Sequence, residues 1–205
     1  MNRRSLMKWL VAASASASFG SVLRAADSQV SEIALPVEDG KKQRKVVFIP
    51  PDARRHGMIG PNHITFKLAS EDTAGLIAST ELVMEAGTLG APPHLHHGLD
   101  EICRLIEGTV HVMVDGNVTV VPAGGWHMRP RGLVHTFCNS GPERARCIEI
   151  YVPGGHDRYM MDLADLFENG AHPQPDALQA LAAKHDIEFH FEQLDDVMKR
   201  YNVKL

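Results

Sequence analysis

Six of the chain's twelve histidines, His94, His96, His97, His111, His127 and His135, are crowded between positions 94 and 135. Side chains at i and i+2 of an extended strand point to the same face, so His94 and His96 can converge on one ion while His97 points away. Glu101 opens the following strand after a bend at Gly98, and that bend can bring its carboxylate round to the same ion. His135 begins a further strand just after Pro130-Arg131-Gly132. Three imidazoles and a carboxylate suit one divalent transition metal ion, with Mn, Fe, Co, Ni, Cu and Zn all open, and they leave positions for water, substrate or dioxygen. His97, His111 and His127 are read as surface residues or as supports for the ligands. Cys103 shares the inward face of Glu101 and is expected to be a small packing residue. Leu105 and Phe137, on the same faces as Glu101 and His135, would supply an apolar wall, which suits an aromatic or hydrophobic substrate better than a sugar.

The elements that must position these residues change character along the chain. From Lys45 to Val152 the sequence reads as short β-type runs rich in Val, Ile, Thr and Phe, separated by turn residues. Val110, Val112 and Val114 alternate with His111 and Met113, giving one apolar face, and Asp115-Gly116 supplies the positive φ angles of a tight hairpin. Many short strands without intervening helices mean a sandwich or barrel of antiparallel strands, with no room for a Rossmann unit. Cys138 and Cys147 flank a turn at Ser140-Gly141-Pro142, and pairing about that turn would put Cys147 opposite residue 135 or 136, so no disulfide between them is expected. After Pro153 the period becomes helical: Met160, Leu163, Ala164 and Phe167 precede a stop at Asn169-Gly170, and a second helix runs from about Asp176 to His185. Ile187, Phe189 and Phe191 form a candidate short strand, and Leu194, Val197, Met198 and Tyr201 mark a last helix. Helices this short need their apolar stripes buried, so the tail is expected to cover the barrel.

Two segments carry a family resemblance. Residues 90–108, with His94-Leu-His96, four residues, Glu101, six residues and Gly108, resemble the first cupin motif. Pro130-Arg-Gly132-Leu-Val-His135-Thr-Phe-Cys-Asn139 resembles the second. The likeness covers about Ile77 to Val152, and Pro153-Gly154-Gly155 with its following helix is similar to the tail of single-domain cupins likened to quercetin 2,3-dioxygenase. It implies an all-β double-stranded β-helix, a jelly-roll barrel with a short C-terminal helical extension, and a metal held by His94, His96, Glu101 and His135. It also implies that Glu101 is both ligand and catalytic base. Two positions depart from the family pattern: Gly124-Gly125 stands for the usual Gly-Asp, and His156-Asp157 for the usual Phe-Glu. Neither touches the metal positions.

Composition narrows the remaining choices. With 21 basic and 25 acidic residues and a net charge of -4, the chain is not built for phosphate neutralisation, which argues against nucleic acid. No apolar run reaches the length of a membrane span. In residues 1–26, Arg3, Arg4 and Lys8 precede an Ala- and Ser-rich apolar stretch, Trp9 to Leu23, and a small-residue site at Ala25 and Ala26, the layout of an export signal. Asn2-Arg3-Arg4-Ser5-Leu6-Met7-Lys8 resembles a twin-arginine signal, implying a periplasmic protein exported already folded. The expected organisation is then a signal peptide at 1–26, an N-terminal surface arm at 27–44, a barrel at 45–153 and the helical extension at 154–205. The function expected is that of an exported, metal-dependent, dioxygenase-like enzyme acting on a small enol or phenolic, flavonol-like molecule. The alternatives are a small-ligand-binding protein and a cupin isomerase or decarboxylase, and pairing of two barrels as a homodimer stays open.

Overall fold

The computed structural model of the chain describes residues 31–34, 45–51 and 53–205. The export signal expected at 1–26 lies outside these residues, as does most of the arm. Within the segment read as a surface arm, Ser31–Ala34 (β1) is a strand paired antiparallel with Lys45–Phe48 (β2). Among the described residues no helix is long and apolar enough to cross a membrane.

Two antiparallel sheets form the barrel. The first runs His56–Ile59 (β3), Asn62–Leu68 (β4), Ala78–Met84 (β5), then Ala145–Val152 (β13), Asp100–Glu107 (β8) and Trp126–Arg129 (β11) as neighbours. The second holds Asn117–Pro122 (β10), Thr109–Val114 (β9), His135–Asn139 (β12), His94–Leu95 (β7) and Glu188–Phe189 (β14), with Thr88–Leu89 (β6) also pairing with β12. This is the expected all-β jelly-roll layout. The hairpin between β9 and β10 has Asp115 at φ 47° and Gly116 at φ 77°, the conformation the Asp-Gly pair favours.

Inward side chains of both sheets meet in one core that includes Ile64, Leu82, Met84, Leu105, Val110, Val112 and Phe137. The alternation in β9 is only half of its story, because Met113 on the opposite face is buried too. It packs with Leu89, Cys138 and Val203 beneath the helix Leu194–Tyr201 (α3), whose Leu194, Val197, Met198 and Tyr201 lie against them. The other helices, His156–Leu166 (α1) and Pro175–Ala182 (α2), bury Tyr159, Leu163 and Leu181 together. β3 escapes a periodicity reading because it carries Gly57, where an added Cβ would lie 2.9 Å from the Ala164 side chain. The glycine lets α1 rest directly on the strand.

One expected pairing is overturned. β12 and β13 do not form a hairpin about Ser140-Gly141-Pro142: β12 belongs to the second sheet, while β13 pairs with β5 and β8 in the first. The turn is a crossover between layers, and Cys147 therefore faces the barrel interior rather than residue 135 or 136. There it meets Cys103, and the two sulfurs and a Glu149 carboxylate oxygen lie within 4.8 Å of one another. All three cysteines are buried and free.

Candidate metal centre

Strand register explains how distant positions converge. In the second sheet His94 of β7 lies directly opposite His135 of β12, with ring centroids 4.4 Å apart. The chain leaves β7 through His96 and returns at β8 in the first sheet, which carries Glu101 as its second residue. The connecting bend is pinned to the second motif: Gly132 N–H donates to the His96 carbonyl at 2.6 Å. Arg131 also grips the Asp100 carboxylate through its backbone N–H, Nε and Nη2 at 2.9, 3.0 and 2.8 Å, which holds that carboxyl down at about 2. Ligating atoms of His94, His96, Glu101 and His135 consequently lie within 4.8 Å of one another, all four residues being buried.

The protonation pattern of these rings tests whether a metal fits. Each Nδ1 faces a backbone carbonyl: Pro92 for His94 at 2.8 Å, Asp186 for His96 at 2.6 Å and Leu133 for His135 at 3.0 Å. A carbonyl only accepts, so each Nδ1 carries the proton, and the neutral ring is left with its lone pair on Nε2. Those lone pairs point at a carboxylate. His135 Nε2 is 3.1 Å from Glu101 Oε2 and His96 Nε2 is 3.5 Å from Oε1. Acceptors facing acceptors are stable only with a metal ion or a proton between them, and His96 Nε2, on a side chain with 0% exposure, has no hydrogen-bond partner. Ligands about 2.0–2.2 Å from a single ion would themselves be separated by roughly 3 to 4.4 Å. The donor set therefore fits a divalent transition metal, and all four residues expected from the sequence belong to it.

Charges around the tetrad are arranged in layers. Burial would push the Glu101 carboxyl up, but Arg129 and the His135 and His96 rings outweigh it and hold it well below the usual carboxylate range. Burial and the neighbouring His135 lower His94, whereas in His96 the effect of burial is outweighed by Glu101 and Asp186, and its pKa is raised. Arg129 lies opposite Glu101 in the β8–β11 register, 1% exposed, with Nε 3.2 Å from Glu101 Oε2. Its Nη2 bonds the buried Glu149 carboxylate and its guanidinium lies 4.7 Å from the Phe137 ring centroid. Burial, with the Glu101 charge adding to it against the opposing pull of Arg129, pushes Glu149 up to about 7. One cation thus bridges two carboxylates of different basicity.

A cavity of about 920 Å³ opens beside this centre. His94, Glu101, Arg129 and Glu149 form its polar end, and its walls include Leu82, Leu89, Phe137, Met160, Ile187 and Phe189. Phe137 thus lines the chamber as expected. Leu105 and Cys103 are packed in the core instead. His97 is exposed and pairs with Glu188 at 3.3 Å, as its position on the outward strand face implies. His111 bonds Ser140 and lies beside Tyr201, away from the tetrad. His127 is half-buried and outside the tetrad.

Sequence reasoning missed His156, Arg129, Glu149 and Asp186. His156 opens α1 and is buried between Tyr151, Tyr159 and His96, its Nε2 3.6 Å from Glu101 Oε1. Burial drops its pKa to about 3, so it is a neutral ring at the chamber wall. The substitution of His for the family's Phe at this position was the one visible signal.

Fold and site together agree with a cupin domain within the chain. Residues 80–151 match the Cupin_2 family model, a cupin domain. Among solved structures the chain is similar to the cupin domain of Cnp3 from Schizosaccharomyces pombe, at 14% identity over 71% of this chain and 97% of that one, with a TM-score of 0.49. It is similar to KdgF from Halomonas sp. (17% identity, 51% and 91%, TM-score 0.45) and to an RmlC-like cupin from Shewanella frigidimarina (19% identity, 54% and 94%, TM-score 0.45). No curated protein sequence matches the chain.

Proposed function

We propose that this cupin is a metal-dependent enzyme of the dioxygenase-like kind, acting on a small enol or phenolic substrate of flavonol type. The observation that carries the proposal is the tetrad, of which His94 and Glu101 line the polar end of the apolar chamber: three imidazoles with their Nε2 atoms and one ionised carboxylate face one point. A purely apolar ligand would need no such centre. When bound, the metal would supply Lewis acidity and a meeting place for an enol oxygen and dioxygen. The chain's own contribution is positioning and proton transfer. Phe137, Leu89 and Phe189 would flank an aromatic ring and exclude water, and Glu101 would take the substrate's acidic proton on its carboxylate oxygen. Arg129 keeps Glu101 ionised and therefore a weak base, matched to an acidic enol rather than to an unactivated carbon acid. Export to the periplasm through the signal expected at 1–26 belongs to the same proposal.

The test uses metal-matched samples loaded with Mn, Fe, Co, Ni or Cu, assayed for flavonol affinity and oxygen uptake together. Glu101→Gln keeps an oxygen ligand of similar size but removes the charge, and turnover should fall by about 10²–10⁴, while flavonol still binds. Wild-type protein that binds flavonol with every metal and consumes no oxygen would overturn the dioxygenase reading and leave the ligand-binding alternative.

A further inference from the structure

His96 differs from its two fellow ligands in how its second nitrogen is held. His94 and His135 each donate Nδ1–H to a carbonyl two residues earlier in their own segment, those of Pro92 and Leu133. His96 donates to the carbonyl of Asp186, 90 positions away, in the link between α2 and β14. The Asp186 carboxylate returns across the same junction: Oδ1 accepts the N–H of His97 at 3.0 Å and Oδ2 accepts that of Gly98 at 2.6 Å. A single residue of the extension therefore holds the His-x-His loop at three points.

The contact continues along the ligand strand. β14 pairs with β7, placing Glu188 opposite Leu95 and Phe189 opposite His94, and His190 N–H donates to the Pro93 carbonyl at 2.8 Å. Beyond this short strip the segment before it is held by side-chain packing, with Ile187 against the cluster of Tyr159, Leu163 and Leu181. A strand of two residues contributes few ladder bonds, and elements with little local pairing open at lower free energy than the body of a fold.

We propose that Asp186 is a positioning residue for the metal centre, and that metal binding and docking of the C-terminal extension are one linked equilibrium. The inference rests on the reading of the tetrad as a metal site. With the clasp closed, the Asp186 carbonyl fixes the ring angle of His96 and leaves Nε2 bare for the ion. With it open, the His96 ring loses the partner of its Nδ1 and with it the contact that fixes its angle. Linkage is reciprocal: whatever factor docking contributes to metal affinity, metal returns to docking. Ile187 and Phe189, which follow the Asp186 anchor, line the chamber, so a molecule in the chamber touches the element that orients a ligand.

The experiment uses the full chain and the metal alone, with Co²⁺ as a spectroscopic probe and a chromophoric chelator as competitor. Asp186→Ala keeps the carbonyl that accepts from His96 but removes the carboxylate clasp that holds that carbonyl in place, so it should weaken metal affinity by up to the about 10- to 100-fold that losing a ligand's orienting partner costs, and should alter the visible cobalt spectrum. Asp186→Asn, which keeps one acceptor, should fall between. Gly98→Val attacks the clasp from the other side, because even a Cβ there lies 3.1 Å from Asp186 Oδ2, and it should also weaken binding. His97→Ala keeps its backbone N–H and should bind as wild type does. In wild-type protein, added metal should slow amide exchange across residues 183–190, a readout that stands even if a variant fails to fold. Unchanged exchange in that segment on metal binding, or an Asp186→Ala protein that binds metal as tightly as wild type, would overturn the inference while leaving the metal site intact. Wild-type protein that takes up no metal would overturn both.

Discussion

Replacing Arg129 by Met would probe the charge arrangement that the register creates. Methionine is long, unbranched and apolar, so it can retain the contact with Phe137 while removing the one cation between Glu101 and Glu149. The guanidinium is 1% exposed, and stripping one partner from a buried ion pair costs about 3–5 kcal/mol. At roughly 2–4 °C per kcal/mol for a chain of this size, the metal-free variant should melt about 6–20 °C below wild type near pH 8. The sign with pH follows from the carboxylates. Glu149 is already pushed up to about 7 with Arg129 present; without it Glu149 rises further, and Glu101 loses the charge that holds it down. A carboxyl whose folded pKa lies above its unfolded value loses stability as pH climbs from the ordinary carboxylate range through the folded pKa. The variant should therefore be much closer to wild type at about pH 5, where protonation relieves the repulsion. A divalent metal ion bound to the tetrad should recover part of the loss, because it brings positive charge back to Glu101. Urea titrations at both pH values, with and without metal, measure all three effects. A deficit below about 1 kcal/mol near pH 8, or one equal at both pH values, would refute the claim that Arg129 is the counter-charge of two buried carboxylates.

Two further outcomes are expected. Alanine at His94, His96 or His135 should sharply reduce metal occupancy, whereas His97→Ala should not; equal losses for His96 and His97 in metal analysis would refute the strand-face geometry. His156 titrates near 3 in the folded protein and near 6.5 when free, so the unfolded chain binds the extra proton between those values and stability should fall by a few kcal/mol as pH drops through that window. His156→Phe should flatten that acid limb in thermal melts, and an unchanged slope would remove His156 as its cause.

The tetrad was legible in the sequence because its spacing is local: His94 and His96 share a strand face, and Glu101 and His135 each begin a strand just after a turn. What surrounds it was not, because it arrives through register and through the extension. Nothing near Arg129 in the sequence announces that β11 lies beside β8, so that the residue before Pro130 meets Glu101. Glu149 is a polar residue between Ile148 and Ile150 in a β-type run, and only the pairing of β13 with β8 places it opposite Cys103 inside the barrel. The same gap misplaced Cys147. A Ser-Gly-Pro turn between two β-type runs reads as a hairpin, and whether the chain instead crosses to the other sheet depends on which neighbours are already paired. Asp186 sits in the link between α2 and β14, and its part in holding His96 exists only once the extension has folded back onto a residue 90 positions earlier.

The double-sided burial of β9 means that the boundary at residue 153 is not a place where the protein can be divided. A fragment ending there would keep the strands of the barrel but lose α3 and Val203, uncovering Leu89, Met113 and Cys138 as one contiguous apolar face. Faces of that kind drive association, and this one would carry the free thiol of Cys138, which an oxidant could couple to its counterpart on a second fragment. Leu89 also belongs to the chamber wall, so the same cut would open the binding cavity to a second molecule. The helical tail thus completes the burial of a barrel strand, and barrel and extension are expected to unfold together.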